Sequence, residues 1–239
     1  MRDPLQLWLA STSSGKLREF REAGLVRGVR VEALPGITAI APCVEDGSTF
    51  EENARKKALY YSRAAEGLVF ADDSGLCVDA LGGAPGVFSA RFAGEGASDS
   101  ANNFRLIEEL RRTLGSGNWR SEVTASTVAG IRPRTAAHYV CVIALAERGR
   151  ILTVTVGRAD GTIIEQPRGS GGFGYDPYFF YSPLDATFAE LSPEAKFAVS
   201  HRGEAFRKLL DYVENSTRSE RTAEAVAVAP LSGTEHRRE

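Results

Sequence analysis

The stretch Leu68-Val69-Phe70-Ala71-Asp72-Asp73-Ser74-Gly75 joins a short apolar run to two adjacent carboxylates and a pair of small residues. The apolar run predicts a buried strand that ends at the carboxylates, and Ser74-Gly75 predicts a tight turn. Because side chains of an extended segment alternate between two faces, we expect Asp72 and Asp73 to diverge, one holding a cation and the other activating a water. This arrangement suits metal-assisted phosphate chemistry. For the tetrapeptide alone, a solvated hairpin turn is the alternative.

Composition and charge limit the classes of protein to which the chain can belong. Its 239 residues fit one large domain or two small lobes, and a formal net charge of −2 argues against a surface that coats nucleic acid. Three distant cysteines, Cys43, Cys77 and Cys141, support neither a disulfide framework nor a CxxC zinc site, and they favour a reduced, cytoplasmic setting. No stretch has the apolar length of a signal peptide core or a membrane span, so we expect a soluble protein that is not exported.

The start of the chain predicts a strand, a loop of small residues and a helix. Leu5 to Ala10 is apolar, Ser11 to Lys16 is rich in small residues, and Leu17 and Phe20 begin a helical pattern. Small residues let backbone N–H groups converge on an anion, the helix N-terminus adds positive potential, and Lys16 adds a full charge. We predict a phosphate-binding loop, although the glycine spacing of GxxxxGK[ST] is absent. A simple serine N-cap is the alternative.

A second helix is predicted over residues 49–66, with Ser48 as its N-cap and Glu51 completing a capping box. Glu52, near the start of this helix, has two interpretations. It forms a surface ion pair with Lys56, or it meets the two aspartates of the first stretch at a shared Mg²⁺ site. The spacing leaves both open.

The second half of the chain predicts a hairpin followed by a glycine-rich loop. Tyr139 to Leu145 and Ile151 to Val156 are the hairpin strands. Gly169 to Gly174 formally matches GxGxxG, but no strand pattern precedes it and no helix pattern follows, which excludes a Rossmann interpretation. We predict instead a loop that brings Phe173 and Asp176 to a pocket where a planar base could stack. An aromatic core beside a loop is the alternative.

Two basic residues lie near the C-terminal end of the predicted domain. Ser192 caps a predicted short helix, and His201 and Arg202 precede a longer amphipathic one. A basic pair in this position suits recognition of the edge of a nucleotide base. The alternative is that the two residues are ordinary polar residues at the start of a helix, without a binding role. Residues 115–134 and 216–239 lack sustained periodicity, from which we predict a surface excursion and a disordered tail.

Five separated motifs carry a family resemblance. In chain order they are a Thr/Ser-rich loop ending in lysine (Ser11 to Lys16), FxENA (Phe50 to Ala54), ADDSGL-x-VDxLxGAPG (Ala71 to Gly86), GGFGYDP (Gly171 to Pro177) and K-x-x-x-SHR (Lys196 to Arg202). Together they resemble the Ham1-type inosine/xanthosine triphosphate pyrophosphatase family over residues 1–215. The resemblance implies an α/β fold with a long mixed central sheet flanked by helices, two lobes with a cleft between them, and a homodimer.

The resemblance also implies an activity and a site. The chain would hydrolyse ITP, dITP and XTP by attack of water at the α-phosphate, releasing nucleoside monophosphate and pyrophosphate and clearing these nucleotides from the cellular pool. Glu52 and Asp73 would bind Mg²⁺ with help from Asp72, and Asp73 would also be the base. The implied substrate-binding residues are Ser11, Thr12, Ser13, Ser14, Gly15, Lys16, Ser74, Phe173, Gly174, Tyr175, Asp176, Lys196, His201 and Arg202. Ser13 is a departure, since the family usually has asparagine there.

Two other functions stay open at this point. One is a Maf-like pyrophosphatase for pyrimidine or modified nucleotides, which would share a similar fold. The other is a nucleotide-binding sensor without catalysis, against which the retained carboxylates weigh.

Overall fold

A seven-stranded mixed sheet forms the centre of the protein in the computed structural model, which describes residues 5–115 and 134–228. Its strands are β1 (Leu5–Leu9), β2 (Val29–Ala33), β3 (Leu68–Val78), β4 (Ala136–Glu147), β5 (Arg150–Ile163), β6 (Phe179–Tyr181) and β7 (Ala186–Thr187). Their spatial order is β2-β1-β3-β4-β5-β6-β7, in which β1 is parallel to both of its neighbours. The later pairs are antiparallel. The predicted hairpin is confirmed as β4 and β5.

Among the residues that the structure describes, five α-helices flank this sheet and confirm the α/β class. They are α1 (Ser14–Val26), α2 (Phe50–Ser62), α3 (Asp99–Leu114), α4 (Pro193–Val199) and α5 (His201–Val228). Within the described parts of the chain, we find no helix with the length and apolarity needed to span a membrane. All three cysteines are free thiols, as the sequence predicts.

The two faces of the sheet are covered by different helices. On β3, Val69 and Ala71 belong to the cluster that contains Ala58 of α2. Phe70 points to the opposite face, where its ring lies 5.8 Å from that of Phe206 on α5. The alternation along β3 therefore gives each helix layer its own apolar core.

β3 is longer than the sequence predicts. The strand does not end at Ala71, because it continues through both aspartates and Ser74-Gly75 to Val78. Its antiparallel pairing with β4 is unbroken across this stretch. The predicted turn and the hairpin-turn alternative are therefore both wrong. Pairing with a distant strand outweighs the local preference of Asp, Ser and Gly for turns.

α2 begins and ends differently from its prediction over residues 49–66. Thr49, rather than Ser48, is the N-cap, and its Oγ1 accepts a hydrogen bond from the backbone N–H of Glu52 at 3.1 Å. Glu52 Oε2 accepts in return from the backbone N–H of Ser48 at 2.7 Å. The capping box thus lies one residue further on, and the helix itself covers Phe50–Ser62.

α5 extends beyond the predicted domain boundary at residue 215. The sequence predicts a disordered tail over residues 216–239, whereas the helix continues to Val228. Residues 229–239 lie outside the described part of the chain. So does the predicted surface excursion, apart from Gly115 and Arg134 at its two ends.

Candidate functional site

A large cleft begins where β1 stops. β1 pairs with β3 only as far as Phe70, so the next residues of β3 have no strand beside them on the β1 side; only from Leu76 onward do Ser89 and Pro85 bond to that edge. Asp72 and Asp73 lie on this open stretch and line a cavity of about 760 Å³. The loop that follows β1 closes over the same cavity. The end of a parallel strand, rather than the predicted end of β3, therefore creates the site.

The two aspartates point to opposite faces of the sheet, as predicted. Asp72 is directly opposite Ile143, which faces α1 and α5, whereas Asp73 is opposite Val142, which faces α2. Their surroundings consequently differ.

Asp72 is held by cations. Its Oδ2 lies 2.9 Å from Lys16 Nζ and 3.8 Å from Arg202 Nε, and it accepts a hydrogen bond from Ser74 Oγ at 3.3 Å. Burial alone would raise the pKa of Asp72, but Lys16, Arg202 and Lys57 outweigh it and hold this pKa at about 2. Asp72 is thus an ionised anchor for positive charge and a poor proton acceptor.

Asp73 is held by residues of α2. Lys57 Nζ donates to Asp73 Oδ1 at 3.1 Å, and Asn53 Nδ2 donates to Oδ2 at 3.2 Å. Burial raises the pKa of Asp73 and outweighs the opposing effect of Lys57. Two neighbouring carboxyls whose pKa values move in opposite directions are typical of a base beside a permanent charge. The geometry favours Asp73 as the base.

Glu52 does not join these aspartates. It is exposed outside the cavity, where its carboxylate caps α2, and Lys56 pairs with Asp46 rather than with it. Both interpretations of Glu52 are therefore wrong. Glu45 lines the cavity instead, and its Oε2 lies 2.9 Å from Lys57 Nζ.

The residues Glu45, Lys57 and Asn53 were missed in the sequence. Asn53 and Lys57 lie four residues apart on the predicted helix, and a polar pair at that spacing resembles part of an exposed face. Both are buried. No sequence signal singles out Glu45 from the other carboxylates around it.

The predicted phosphate loop lies at the cavity with its helix behind it. Its lining residues are Ser11, Thr12, Ser13 and Lys16. Ser13 is also the N-cap of α1, accepting from the backbone N–H of Lys16 at 3.4 Å, so the N-cap alternative and the loop coexist. Ser14 does not line the cavity. Gly15 lies under Phe173, where a Cβ would come within 3.2 Å of the ring. The missing side chain lets these two loops meet.

The glycine-rich loop brings Phe173 and Asp176 into the same cleft. Asp176 Oδ2 accepts from Lys196 Nζ at 2.7 Å and from the backbone N–H of Phe173 at 2.9 Å. Burial raises the pKa of Asp176 and outweighs Lys196. The Phe173 ring lies under two cations, with Lys196 Nζ 4.7 Å and Arg202 Cζ 5.3 Å from its centroid. Such a ring is in contact with the cleft rather than with a core.

Gly174 and Tyr175 support this loop from behind. The Gly174 backbone N–H donates to Asp99 Oδ2 at 2.6 Å, and its carbonyl accepts from Asn103 Nδ2 at 2.9 Å. Tyr175 Oη donates to the carbonyl of Ser89 at 2.8 Å. Both residues line the cavity, but the Tyr175 hydroxyl is committed to the backbone.

Glu19 connects the basic residues of the site. Its Oε1 accepts from Lys196 Nζ at 2.8 Å and its Oε2 accepts from Arg202 at 2.7 Å. Burial would raise the pKa of Glu19, but Arg202 and Lys196 outweigh it and lower this pKa. Its position one helical turn after Lys16 is the sequence signal that could have identified it.

His201 and Arg202 begin α5 and are both buried. Arg202 donates to Ser74 Oγ at 3.0 Å, which connects the basic pair to the aspartates. The His201 ring stacks on Tyr139 with a centroid distance of 4.5 Å. Burial, followed by the neighbouring Arg202 and Lys196, lowers the pKa of His201 well below its usual value. His201 is therefore neutral at physiological pH.

The cleft thus brings together the predicted phosphate loop, the two adjacent aspartates of β3 and an aromatic ring beside two cations, beyond the end of β1 in a mixed β-sheet. The family model described as the Ham1 family matches residues 7–212. This chain belongs to the Ham1 family. The match spans every element that contributes to the cleft, from β1 to the start of α5.

Curated Ham1 relatives are similar over most of their length. A dITP/XTP pyrophosphatase of Desulfotalea psychrophila is 42% identical over 201 residues, which cover 84% of this chain and 82% of that protein. A dITP/XTP pyrophosphatase of Geobacter sulfurreducens is 44% identical over 213 residues, covering 87% and 96%.

Solved Ham1 structures have the same fold. The HAM1 protein of Coxiella burnetii aligns with a TM-score of 0.72 at 36% identity, covering 88% of this chain and 99% of that chain. The Ham1 protein of Staphylococcus aureus gives 0.70 at 36% identity with the same coverage.

Proposed function

We propose that this chain hydrolyses non-canonical purine nucleoside triphosphates, dITP, XTP and ITP, to nucleoside monophosphate and pyrophosphate. The observation that carries this proposal is the single cavity that is lined by Lys16, by Asp72 and Asp73 on opposite faces of β3, and by Phe173. The names of the relatives support the purine substrates over the Maf-like alternative. A buried carboxyl that lines the cleft and whose pKa is raised by burial favours catalysis over a sensor.

Asp73 is the general base of the proposed reaction. It takes the proton of the water that attacks the α-phosphorus, and the bond to the pyrophosphate leaving group breaks. The raised pKa of Asp73 makes it a better proton acceptor than an ordinary aspartate. Lys57 Nζ, at 3.1 Å from Asp73 Oδ1, balances the charge of the carboxylate.

Asp73 and Glu45 are the residues that fit Mg²⁺. Their carboxylates converge on one cation, the Lys57 ammonium, at 3.1 and 2.9 Å. Among the described residues no cluster of three or more His, Cys, Asp or Glu could hold a metal ion. Two carboxylates suit Mg²⁺, which keeps several waters and takes further oxygens from phosphates. When bound, Mg²⁺ supplies positive charge to those phosphate oxygens.

This ligand set replaces the one implied by the resemblance. Glu52 is outside the cavity, and Asp72 is already neutralised by Lys16 and Arg202. Asp73 is common to both sets.

Lys16 and the N-terminus of α1 bind the triphosphate. Backbone N–H groups of Ser11 to Gly15 and the helix dipole favour an anion, and Lys16 lies beside them. In the free protein Lys16 pairs with Asp72, so a triphosphate competes for a lysine that is already positioned. Asp72 therefore positions the side chains of Lys16 and Arg202 through ion pairs.

The purine base is recognised between Phe173 and the basic pair. A planar base stacks on the aromatic ring, and Arg202 and Lys196 offer donors to a 6-keto oxygen. The 6-amino group of adenine is itself a hydrogen-bond donor, so it cannot accept from Arg202 or Lys196. ATP is therefore rejected. A buried unpaired donor costs about 1–3 kcal/mol, which is roughly a ten- to hundredfold loss. Rejection of GTP must come from its 2-amino group.

The test is kcat/KM for dITP, XTP, ITP, GTP, ATP, dTTP and UTP, measured side by side with and without Mg²⁺ by release of pyrophosphate. We expect dITP, XTP and ITP to exceed ATP by at least about tenfold and activity to require Mg²⁺. A preference for dTTP or UTP would favour the Maf-like alternative. No turnover of any triphosphate with Mg²⁺ would favour the sensor.

We also propose a homodimer in the cytoplasm that has no nucleic-acid or membrane partner. The family resemblance implies the homodimer. The composition of the chain favours a cytoplasmic protein without a nucleic-acid or membrane partner. Light scattering on the full chain at several concentrations tests the dimer.

A further inference from the structure

The segment before α2 carries Glu45 and is tied to that helix at almost every residue. The backbone N–H of Cys43 donates to Tyr61 Oη at 3.2 Å. Further along, the Glu45 carboxylate accepts a hydrogen bond from Lys57. The backbone N–H of Gly47 donates to Asn53, and that of Ser48 donates to Glu52. The side chains of α2 therefore determine where this segment lies relative to β3.

Asn53 of α2 contacts both the segment that carries Glu45 and the Asp73 carboxylate on β3. Its Oδ1 accepts from the backbone N–H of Gly47 at 2.8 Å, and its Nδ2 donates to Asp73 Oδ2 at 3.2 Å. Only 1% of the residue is exposed, and it does not line the cavity. One rigid carboxamide thus spans the Glu45 segment and the proposed base without reaching the substrate.

We propose that Asn53 is a positioning residue that fixes the separation and orientation of the Glu45 and Asp73 carboxylates, and thereby sets the affinity of the metal site. This inference rests on the proposed function of that site. Lys57 contacts the same two carboxylates, but its four-carbon chain is flexible. The planar amide of Asn53 cannot follow a displaced partner, so it restricts Asp73 to one orientation.

Ser62 provides a matched control on the same helix. It is fully buried at the other end of α2 from Asn53, its Oγ accepts from the backbone N–H of Gly149 at 3.1 Å, and it does not line the cavity. Asn53→Ala and Ser62→Ala each remove a buried hydrogen bond between α2 and a neighbouring loop. A general loss of stability should therefore appear in both variants.

The experiment is calorimetric titration of the full chain with Mn²⁺ in the absence of nucleotide. We expect Asn53→Ala to weaken Mn²⁺ binding by roughly 10- to 100-fold, as is usual for residues that orient metal ligands. Ser62→Ala should bind Mn²⁺ like the wild type. In turnover with dITP, Asn53→Ala should raise the Mg²⁺ concentration for half-maximal rate while kcat at saturating Mg²⁺ recovers to within a few-fold of the wild type.

Gly47→Ala tests the same link from the other end. A Cβ at Gly47 would lie 2.6 Å from Asn53 Oδ1, so the substitution pushes the segment away from the amide without altering the buried core. We expect weaker Mn²⁺ binding here as well, which keeps the inference testable if Asn53→Ala does not fold.

The possible failures are distinguishable. Wild-type Mn²⁺ affinity in a folded Asn53→Ala, or equal losses in Asn53→Ala and Ser62→Ala, would overturn the role of Asn53 and leave the proposed function intact. A wild-type protein that binds no Mn²⁺ and hydrolyses no triphosphate would overturn both.

Discussion

Replacing Asp72 and Asp73 one at a time by asparagine should change the protein in opposite ways. The pKa of Asp72 is about 2, against an ordinary value of 3.8. At about 1.4 kcal/mol per pH unit, this difference means that ionised Asp72 contributes about 2.5 kcal/mol to the free energy of unfolding. The cause is the fixed contact with Lys16 and Arg202, which an amide cannot replace. We therefore expect Asp72→Asn to lose about 2–3 kcal/mol of stability at pH 7.

The ionised carboxylate of Asp73 has the opposite effect on the free energy of unfolding. Burial raises its pKa in the folded protein, so the ionised carboxylate opposes folding at neutral pH. Asp73→Asn removes that cost and should be at least as stable as the wild type. Its kcat should nevertheless fall by about 100-fold or more, because the proposed base, which is also a proposed metal ligand, is lost.

Urea unfolding followed by circular dichroism, with dITP turnover measured on the same samples, checks both expectations. The Asp72 contribution is present above the pKa of an unfolded aspartate and is lost as the pH falls towards 2. The gap between wild type and Asp72→Asn should therefore shrink to about half at pH 3. An Asp72→Asn variant that unfolds at the wild-type urea concentration would refute the reasoning. So would an Asp73→Asn variant that is less stable than Asp72→Asn, or one that is folded with near-normal turnover.

Three further predictions concern the same cleft. Lys16→Ala should raise KM for dITP by about tenfold and change the inhibition constant of the monophosphate product less, because the proposed site places Lys16 at the β- and γ-phosphates; equal changes in both constants would place Lys16 elsewhere. Glu19→Gln should lower kcat/KM for XTP by about tenfold or more, since Lys196 and Arg202 lose a shared buried partner; steady-state kinetics that match the wild type would contradict this. Because burial raises the pKa of Asp73, kcat/KM should decline on acidification at a pH above the ordinary 3.8, and an Asp73→Glu variant with an unchanged profile would exclude Asp73 as the titrating group.

The sequence alone determined the features that depend on local periodicity and on motifs. Alternation along a strand predicted that Asp72 and Asp73 diverge, which the register with β4 confirms. The order strand, loop, helix around Ser11 to Lys16 is confirmed, although α1 begins at Ser14, inside the predicted loop. These predictions succeed because each depends on residues within one element.

Only the tertiary structure decided which polar residues share the cleft. Glu52 belongs to a matching motif, but a cap bond to Ser48 commits it locally, whereas Glu45 reaches Lys57 across 12 positions. Glu19 and Arg202 meet across 183 positions, a contact that no spacing rule predicts. Continuation of β3 past its aspartates likewise depends on pairing with β4. In each case a contact between distant parts of the chain outweighs a local preference, because burial makes an unpaired charge or backbone group more costly than an unfavourable residue type.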